Sequence, residues 1–228
     1  MNNLVIGASS GIGRRVVERL GGIAVARREE RLKEFDRYEV FDVSKLEEIE
    51  NFVKNVAKKY GKIDNLIFCA GVQNIKPLKV MKIEEIIEIF NINLFSAMVF
   101  MKSLKKRVFN QNGSAIFISS IAGIEPEKGI LAYSASKAAL NNFIKGASKE
   151  YAPIRVNGIA PGFLKTEMTE KFRDVYNEEF IQNLKEKTLL GLVEVDDVVD
   201  VVEFLLNAKK ITGEIIRVDG GLSWKFII

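Results

Sequence analysis

The sequence predicts an α/β protein: a doubly wound parallel sheet of about seven strands with helices on both faces. Two observations carry this reading. Short apolar runs alternate with longer stretches of helical period along the whole 228 residues. A glycine-rich turn also joins the first apolar run directly to the first helical stretch. Strands are expected at 3–6, 23–26, 39–41, 65–69, 114–119, 155–159 and 214–218. Their short apolar runs fit parallel strands covered on both faces. Helices are expected at 12–20, 46–60, 83–109, 132–151 and 195–206. The polar stretch 166–190 lies between two strands and is long for a connection. Together with its approach it is read as a substrate lid spanning 163–190. No repeat, low-complexity tract or Pro/Gly-rich linker interrupts residues 1–228, so one dinucleotide-binding catalytic domain is expected.

Composition narrows the chemistry. Hydrophobic residues make up 47 % and charged residues 28 %, enough apolar material for a sizeable core. The net charge of +4 fits small anions as well as nucleic acid and decides nothing alone. Histidine is absent, which excludes a Ser-His-Asp triad, His-ligated zinc or haem, and any histidine base. Cys69 is the single cysteine, so there is no intrachain disulfide and no thiolate metal cluster. These counts favour a reducing, cytoplasmic setting without a metal. The N-terminus shows no targeting pattern, and no apolar run reaches the ~18–20 residues of a membrane helix.

The turn Gly7-Ala8-Ser9-Ser10-Gly11-Ile12-Gly13 leads from strand to helix. Its glycines permit a tight turn and the close approach of a pyrophosphate, and the helix N-terminus favours an anion. This is the setting of a Rossmann-like fold, although the spacing is Gly-x3-Gly-x-Gly. An enzyme preferring NAD places an acid at the end of the second strand. Here Arg27 and Arg28 follow Ala26. A guanidinium suits a 2′-phosphate, so NADP(H) is the expected cofactor. Asp42 and Val43, after the third strand, are placed to meet the adenine edge.

Tyr133 and Lys137 stand at i and i+4 in Tyr133-Ser134-Ala135-Ser136-Lys137, on one helix face. A phenol is a poor acid/base at neutral pH, and a nearby ammonium is expected to lower its pKa. Ser119-Ser120 closes the fifth strand, where ligands bind in open α/β sheets. Ser120 is positioned to donate a hydrogen bond to a substrate oxygen as charge builds on it.

Taken together and in order, these motifs resemble the short-chain dehydrogenase/reductase family, in its compact single-domain form, over nearly the whole chain. Ile118-Ser119-Ser120 stands thirteen positions before Tyr133, as the family's serine does. Asn93-Leu94 resembles the fourth catalytic position, which implies an asparagine holding a water in a proton relay from the lysine. Ala70-Gly71 follows the fourth strand. Pro161-Gly162-Phe163-Leu164-Lys165-Thr166 resembles the segment that cradles the nicotinamide carboxamide. Thr212-Gly213 and Val218-Asp219-Gly220-Gly221 resemble the C-terminal strand and turn. The resemblance implies hydride transfer between NADPH and a carbonyl carbon. Tyr133 then supplies the proton, Ser120 polarises the oxygen, Lys137 tunes the tyrosine and grips the ribose, and Asn93 supports the relay. It also implies a homodimer or homotetramer, often built through the long helices bearing Asn93 and Tyr133. Two departures stand out. Ile6 replaces a threonine before the first glycine, and Phe68-Cys69 replace two asparagines before Ala70-Gly71.

The remaining features are expected to be structural. Lys102, Lys105, Lys106 and Arg107 read as a solvated helix end, with an acidic partner such as an acyl carrier protein as the sharper alternative. No nucleic-acid reading module is present. The apolar terminus with Trp224, Ile227 and Ile228 is expected to be buried, with a subunit interface as the candidate place. A small-molecule carbonyl or alcohol substrate is expected in an apolar pocket formed by Ile124, Ile130, Leu131, Phe163, Met168 and Phe172. A 3-oxoacyl chain, a steroid-like ring and a simple ketone suit it equally. The alternative reading is a catalytically silent NADP-binding sensor or scaffold. A nucleotide-sugar epimerase or dehydratase is disfavoured, because no substrate domain follows the sixth strand.

Overall fold

The structure, a computed structural model, describes residues 1–222. Trp224, Ile227 and Ile228 therefore lie outside the described residues. Seven parallel strands form one sheet in the order β3-β2-β1-β4-β5-β6-β7. They are β1 (Asn3–Ile6), β2 (Ile23–Ala26), β3 (Tyr38–Val40), β4 (Ile63–Phe68), β5 (Phe109–Ile118), β6 (Arg155–Pro161) and β7 (Ile215–Val218). The direction of strand order reverses between β1 and β4. That switch point opens a crevice at the carboxyl ends of the strands.

Alternate side chains of each strand feed two cores, one per face. Leu4, Ile6 and Val25 point to one, with Phe68, Phe100 and Phe117. Val5, Ala24 and Ile67 point to the other, with Val198, Val199 and Val202. Phe68 is fully buried, its ring centroid 5.8 Å from Phe100 and 5.9 Å from Phe117. Burying such a ring contributes roughly 1.5–3 kcal/mol. Packing thus takes the place of the polar bracing that an asparagine would give after β4.

The helices are α1 (Gly11–Leu20), α2 (Ile49–Tyr60), α3 (Ile83–Phe90), α4 (Ser96–Lys102), α5 (Leu131–Glu150), α6 (Glu167–Glu170), α7 (Glu178–Lys187) and α8 (Val195–Asn207). The continuous helix expected over 83–109 is not found. α3 and α4 are joined by a π-helical turn, Asn91–Phe95, and α4 stops at Lys102. Phe109, read as the helix end, begins β5 instead and is fully buried. The basic cluster is solvated as expected, but only Lys102 lies in α4, and Lys105, Lys106 and Arg107 follow it. Lys102 and Lys105 both pair with Glu50 of α2, at 2.8 and 3.0 Å. The sequence expectation for the start of α2 also needs revision, because 46–48 form a separate 3-10 turn. Among the described residues, no helix is long and apolar enough to cross a membrane.

Candidate active site

The glycine turn is closed by backbone contacts. Gly7 N and Ala8 N donate to Val25 O at 2.8 and 3.0 Å, tying the turn to β2. Gly7 has φ 87°, and a Cβ there would lie 2.7 Å from Ala70 N. A Cβ on Gly13 would strike the carbonyl oxygen of Gly7. The start of α1 therefore folds back on the turn with no room for a side chain. The first turn of α1 carries no acidic residue, and Ser10 makes no capping bond. Its N–H groups are suited to an anion. Ile12 leans on the second core.

Beside this turn, Arg28 Nη2 donates to Ser9 Oγ at 2.9 Å and Ser10 Oγ at 3.3 Å. The same guanidinium forms a bidentate pair with Glu167 of α6. Arg27 is exposed. Both arginines line an open cleft of about 520 Å3 with Val40, Phe41, Asp42 and Lys45. Asp42 lies two residues beyond the end of β3. Its partial burial works to raise its pKa, but two hydrogen bonds from Ser44 and the charges of Arg27 and Lys45 hold it below the usual value. Val43 packs against the first core instead of lining this cleft. The cleft carries three cations, Arg27, Arg28 and Lys45, and two carboxylates, Asp42 and Glu48; with both arginines at one end, the residues present fit an adenosine 2′-phosphate there.

Tyr133 sits in the first turn of α5, with Lys137 one turn on. Both are buried, at 8 % and 3 % exposure. Lys137 Nζ donates to the carbonyl of Ile118, the last residue of β5, at 2.8 Å. It lies 5.8 Å from the Tyr133 ring centre. The site's direction of titration differs from the sequence expectation. Burial pushes the Tyr133 phenol up to about 12, with a hydrogen bond from Ser120 opposing it. Burial likewise pushes the Lys137 ammonium down to about 8. Desolvation sets the direction for both groups, holding each toward its neutral form.

Ser120 begins a short 3-10 turn, Ile121–Gly123, and its Oγ accepts from Ala122 N at 3.1 Å. This turn is clamped on α5, since a Cβ on Gly123 would meet Lys137 Cβ at 2.8 Å. Asn93 is fully buried in the π turn. Its Oδ1 accepts from Val72 N (2.8 Å), while its Nδ2 donates to Val72 O (2.9 Å) and Ser136 Oγ (3.0 Å). Both amide protons are thus spent on the protein, and the side chain ties the loop after β4 to α5. Gly71 faces this group: a Cβ there would be 3.4 Å from Asn93 Oδ1 and 3.5 Å from Lys137 Nζ. These are ordinary van der Waals distances, and the space beside Lys137 Nζ fits a ribose reached by the lysine.

Pro161 ends β6, and Gly162 N donates to Val218 O at 2.8 Å. Thr166 Cγ2 lies over Gly11, 3.6 Å from where its Cβ would be. The segment beyond packs through Phe163, Tyr176 and Phe180, whose ring centroids are 5.0–5.6 Å apart. Tyr176 OH accepts from Gln73 Nε2 at 2.6 Å, bridging that segment to the loop after Gly71. Sequence reasoning missed Gln73, Tyr176, Ser136 and Glu167. Each acts through a partner distant in the chain, and only Ser136 stands within a motif, between Tyr133 and Lys137. Cys69 is half-buried, packed against the second core, with its thiol pushed up to about 12 by burial. Among the described residues there is no cluster suited to a metal ion.

Comparison with known proteins agrees with this geometry. A family model described as enoyl-(acyl carrier protein) reductase matches residues 7–223. The chain is 35 % identical to a 3-oxoacyl-[acyl-carrier-protein] reductase of Rickettsia felis, over 96 % of this chain and 95 % of that protein. Its fold superposes on aldohexose dehydrogenase of Thermoplasma acidophilum with a TM-score of 0.91 at 26 % identity, covering 99 % and 95 % of the two chains. It superposes on actinorhodin polyketide ketoreductase, solved with NADPH, with a TM-score of 0.89 at 28 % identity, covering 98 % and 97 %. The chain belongs to the short-chain dehydrogenase/reductase family and is an oxidoreductase acting at C=O and CH–OH groups.

Proposed function

We propose that this oxidoreductase is an NADP(H)-dependent carbonyl reductase of the ketone or 3-oxoacyl type, with Tyr133 as its proton donor. The observation that carries the reading is the meeting of Tyr133, Lys137, Ser120 and Asn93 at the carboxyl ends of β4 and β5. A bound reduced nicotinamide supplies the hydride. The protein's part is to hold the carbonyl oxygen and move its proton. Tyr133 donates to the oxygen, and Ser120, within hydrogen-bonding reach of that phenol, polarises it. Lys137 has two N–H groups left after its bond to Ile118, and these serve the ribose hydroxyls beside Gly71. Asn93 positions Val72 and, through Ser136, the first turn of α5. A charged Lys137 beside the ring favours the phenolate and works against the burial that holds the phenol up.

Arg28, with Ser9 and Ser10, is assigned the 2′-phosphate, and Arg27 the outer edge of the same cleft. The 3-oxoacyl class is supported by the Rickettsia felis relative, which aligns over almost its full length. Residues 163–190 serve as the lid of a single catalytic domain. Ile83, Ile87, Phe95 and Met98 are between 41 % and 60 % exposed along α3, the π turn and α4. Four large apolar side chains at helical spacing on one surface support a homo-oligomer built there. Calorimetric titration tests the cofactor assignment. Arg28→Ala is expected to weaken NADPH binding roughly tenfold or more and to leave NADH nearly unchanged. Equal weakening of both would remove Arg28 from the phosphate site.

A further inference from the structure

Glu167 has no role in the reading above, yet its carboxylate occupies a place that an anion of the cofactor would take. Arg28 Nη2 reaches three oxygens at once: Ser9 Oγ at 2.9 Å, Ser10 Oγ at 3.3 Å and Glu167 Oε2 at 2.9 Å. Its Nη1 closes the second arm of a fork on Glu167 Oε1. Two hydroxyls of the glycine turn and one carboxylate thus converge on one planar guanidinium. The carboxylate arrives from the far side of the site, 139 positions along the chain. It is carried by the first residue of α6, next to Thr166, which lies against Gly11. The pair is about one-third exposed, so water and a competing anion can reach it.

We propose that Glu167 is a cofactor-discriminating residue, an internal stand-in that holds Arg28 until a 2′-phosphate displaces it. The inference rests on the assignment of Arg28 to that phosphate. A guanidinium offers one fork of parallel donors, and a carboxylate and a phosphate compete for it in the same geometry. A dianionic phosphate wins the fork and repels the released carboxylate. The first turn of α6 then separates from the glycine turn. NADH has no group at this position, so it leaves the pair intact. The exchange therefore links the identity of the cofactor to the position of the segment that begins at Thr166. Glu167 opposes NADPH and not NADH, and it makes phosphate binding and release of α6 one event.

The experiment is a titration of the full-length Glu167→Gln protein with NADPH and with NADH, beside the unmodified protein and Arg28→Ala. Glutamine keeps the size of the side chain and removes the charge. The expected result is NADPH binding roughly three- to fivefold tighter in Glu167→Gln, with NADH affinity unchanged. In the unmodified protein, NADPH but not NADH should also speed proteolysis at Lys165 or Lys171. Unchanged or weaker NADPH binding in Glu167→Gln overturns the proposal, since Glu167 would then be bracing Arg28 for the phosphate. An equal change for both cofactors also overturns it. The Arg28→Ala protein separates the two failures. If it loses no preference for NADPH, the phosphate assignment itself is wrong. If it does lose that preference while Glu167→Gln behaves like the unmodified protein, only the displacement is wrong.

Discussion

Lys137 Nζ is bonded to the carbonyl of Ile118 at 2.8 Å and stands 5.8 Å from the ring centre of Tyr133. A buried ammonium so placed costs stability, and the cost depends on pH. Its folded pKa is about 8, below the ordinary 10.5. The penalty is therefore fully present below pH 8. It shrinks as pH rises from 8 to 10.5, because the folded protein sheds its proton while the unfolded chain still holds one. Tyr133 acts in the opposite sense. Its phenol is pushed up to about 12, so stability falls once the unfolded chain begins to ionise above pH 10. Lys137→Met should raise stability at pH 7 by on the order of 1–3 kcal/mol, less what the bond to Ile118 contributed. The gain should dwindle by pH 9.5. Thermal denaturation at both pH values checks this. A difference independent of pH would contradict it.

Asn93 should behave as a brace. Asn93→Ala removes three buried hydrogen bonds and strands both the N–H and the carbonyl of Val72. The expected loss is about 2–4 kcal/mol in urea denaturation. Faster amide exchange at Val72 should accompany it. A loss under about 0.5 kcal/mol, the size of an ordinary surface substitution, would show that the loop after β4 is held by something else.

The two positive-φ glycines of the turn should differ in tolerance. Gly7→Ala places a Cβ against the backbone of Cys69 and Ala70, where nothing can swing aside. It should unfold the protein or lower its melting temperature by many degrees. Gly11→Ala has φ 54° and meets only the Thr166 side chain at 3.6 Å. It should cost roughly 1 kcal/mol in backbone strain. Circular dichroism melts of the pair make the comparison, and equal effects would contradict the packing described here.

The Gln73–Tyr176 bond should govern substrate capture. Tyr176→Phe removes an acceptor for Gln73 and loosens the aromatic contact to Phe163. A binding role predicts a KM raised severalfold with kcat held within about twofold. A fall in kcat at constant KM would place Tyr176 in the chemistry instead.

Much of this arrangement was legible in the sequence because its signals are local. The glycine turn, Ser120 before Tyr133, and the one-turn spacing to Lys137 are each written within a few residues. Apolar runs revealed the sheet for the same reason: strands buried on both faces are mostly apolar, with Asn3, Asn65, Ser114 and Asn157 as buried polar exceptions. What escaped depends on partners far apart. Nothing near Glu167 announces Arg28, and nothing near Lys102 or Lys105 announces Glu50. The break in the helix expected over 83–109 was hidden because apolar residues run on through Phe95 and Phe109. The π turn serves Asn93, whose partners Val72 and Ser136 come from two other segments. The raised Tyr133 pKa was missed for a related reason, since spacing shows that a lysine is near but not how dry the site is.

The central claim is that Tyr133 donates the proton in an NADPH-dependent carbonyl reduction. The direct measurement follows loss of NADPH absorbance with a 3-oxoacyl thioester, for the unmodified protein and for Tyr133→Phe. The account predicts steady turnover in the first. It predicts a loss of about 10²–10⁴-fold in kcat in the second, with NADPH binding retained in a parallel titration. Turnover surviving in Tyr133→Phe would contradict the account and move the proton donor elsewhere in the site.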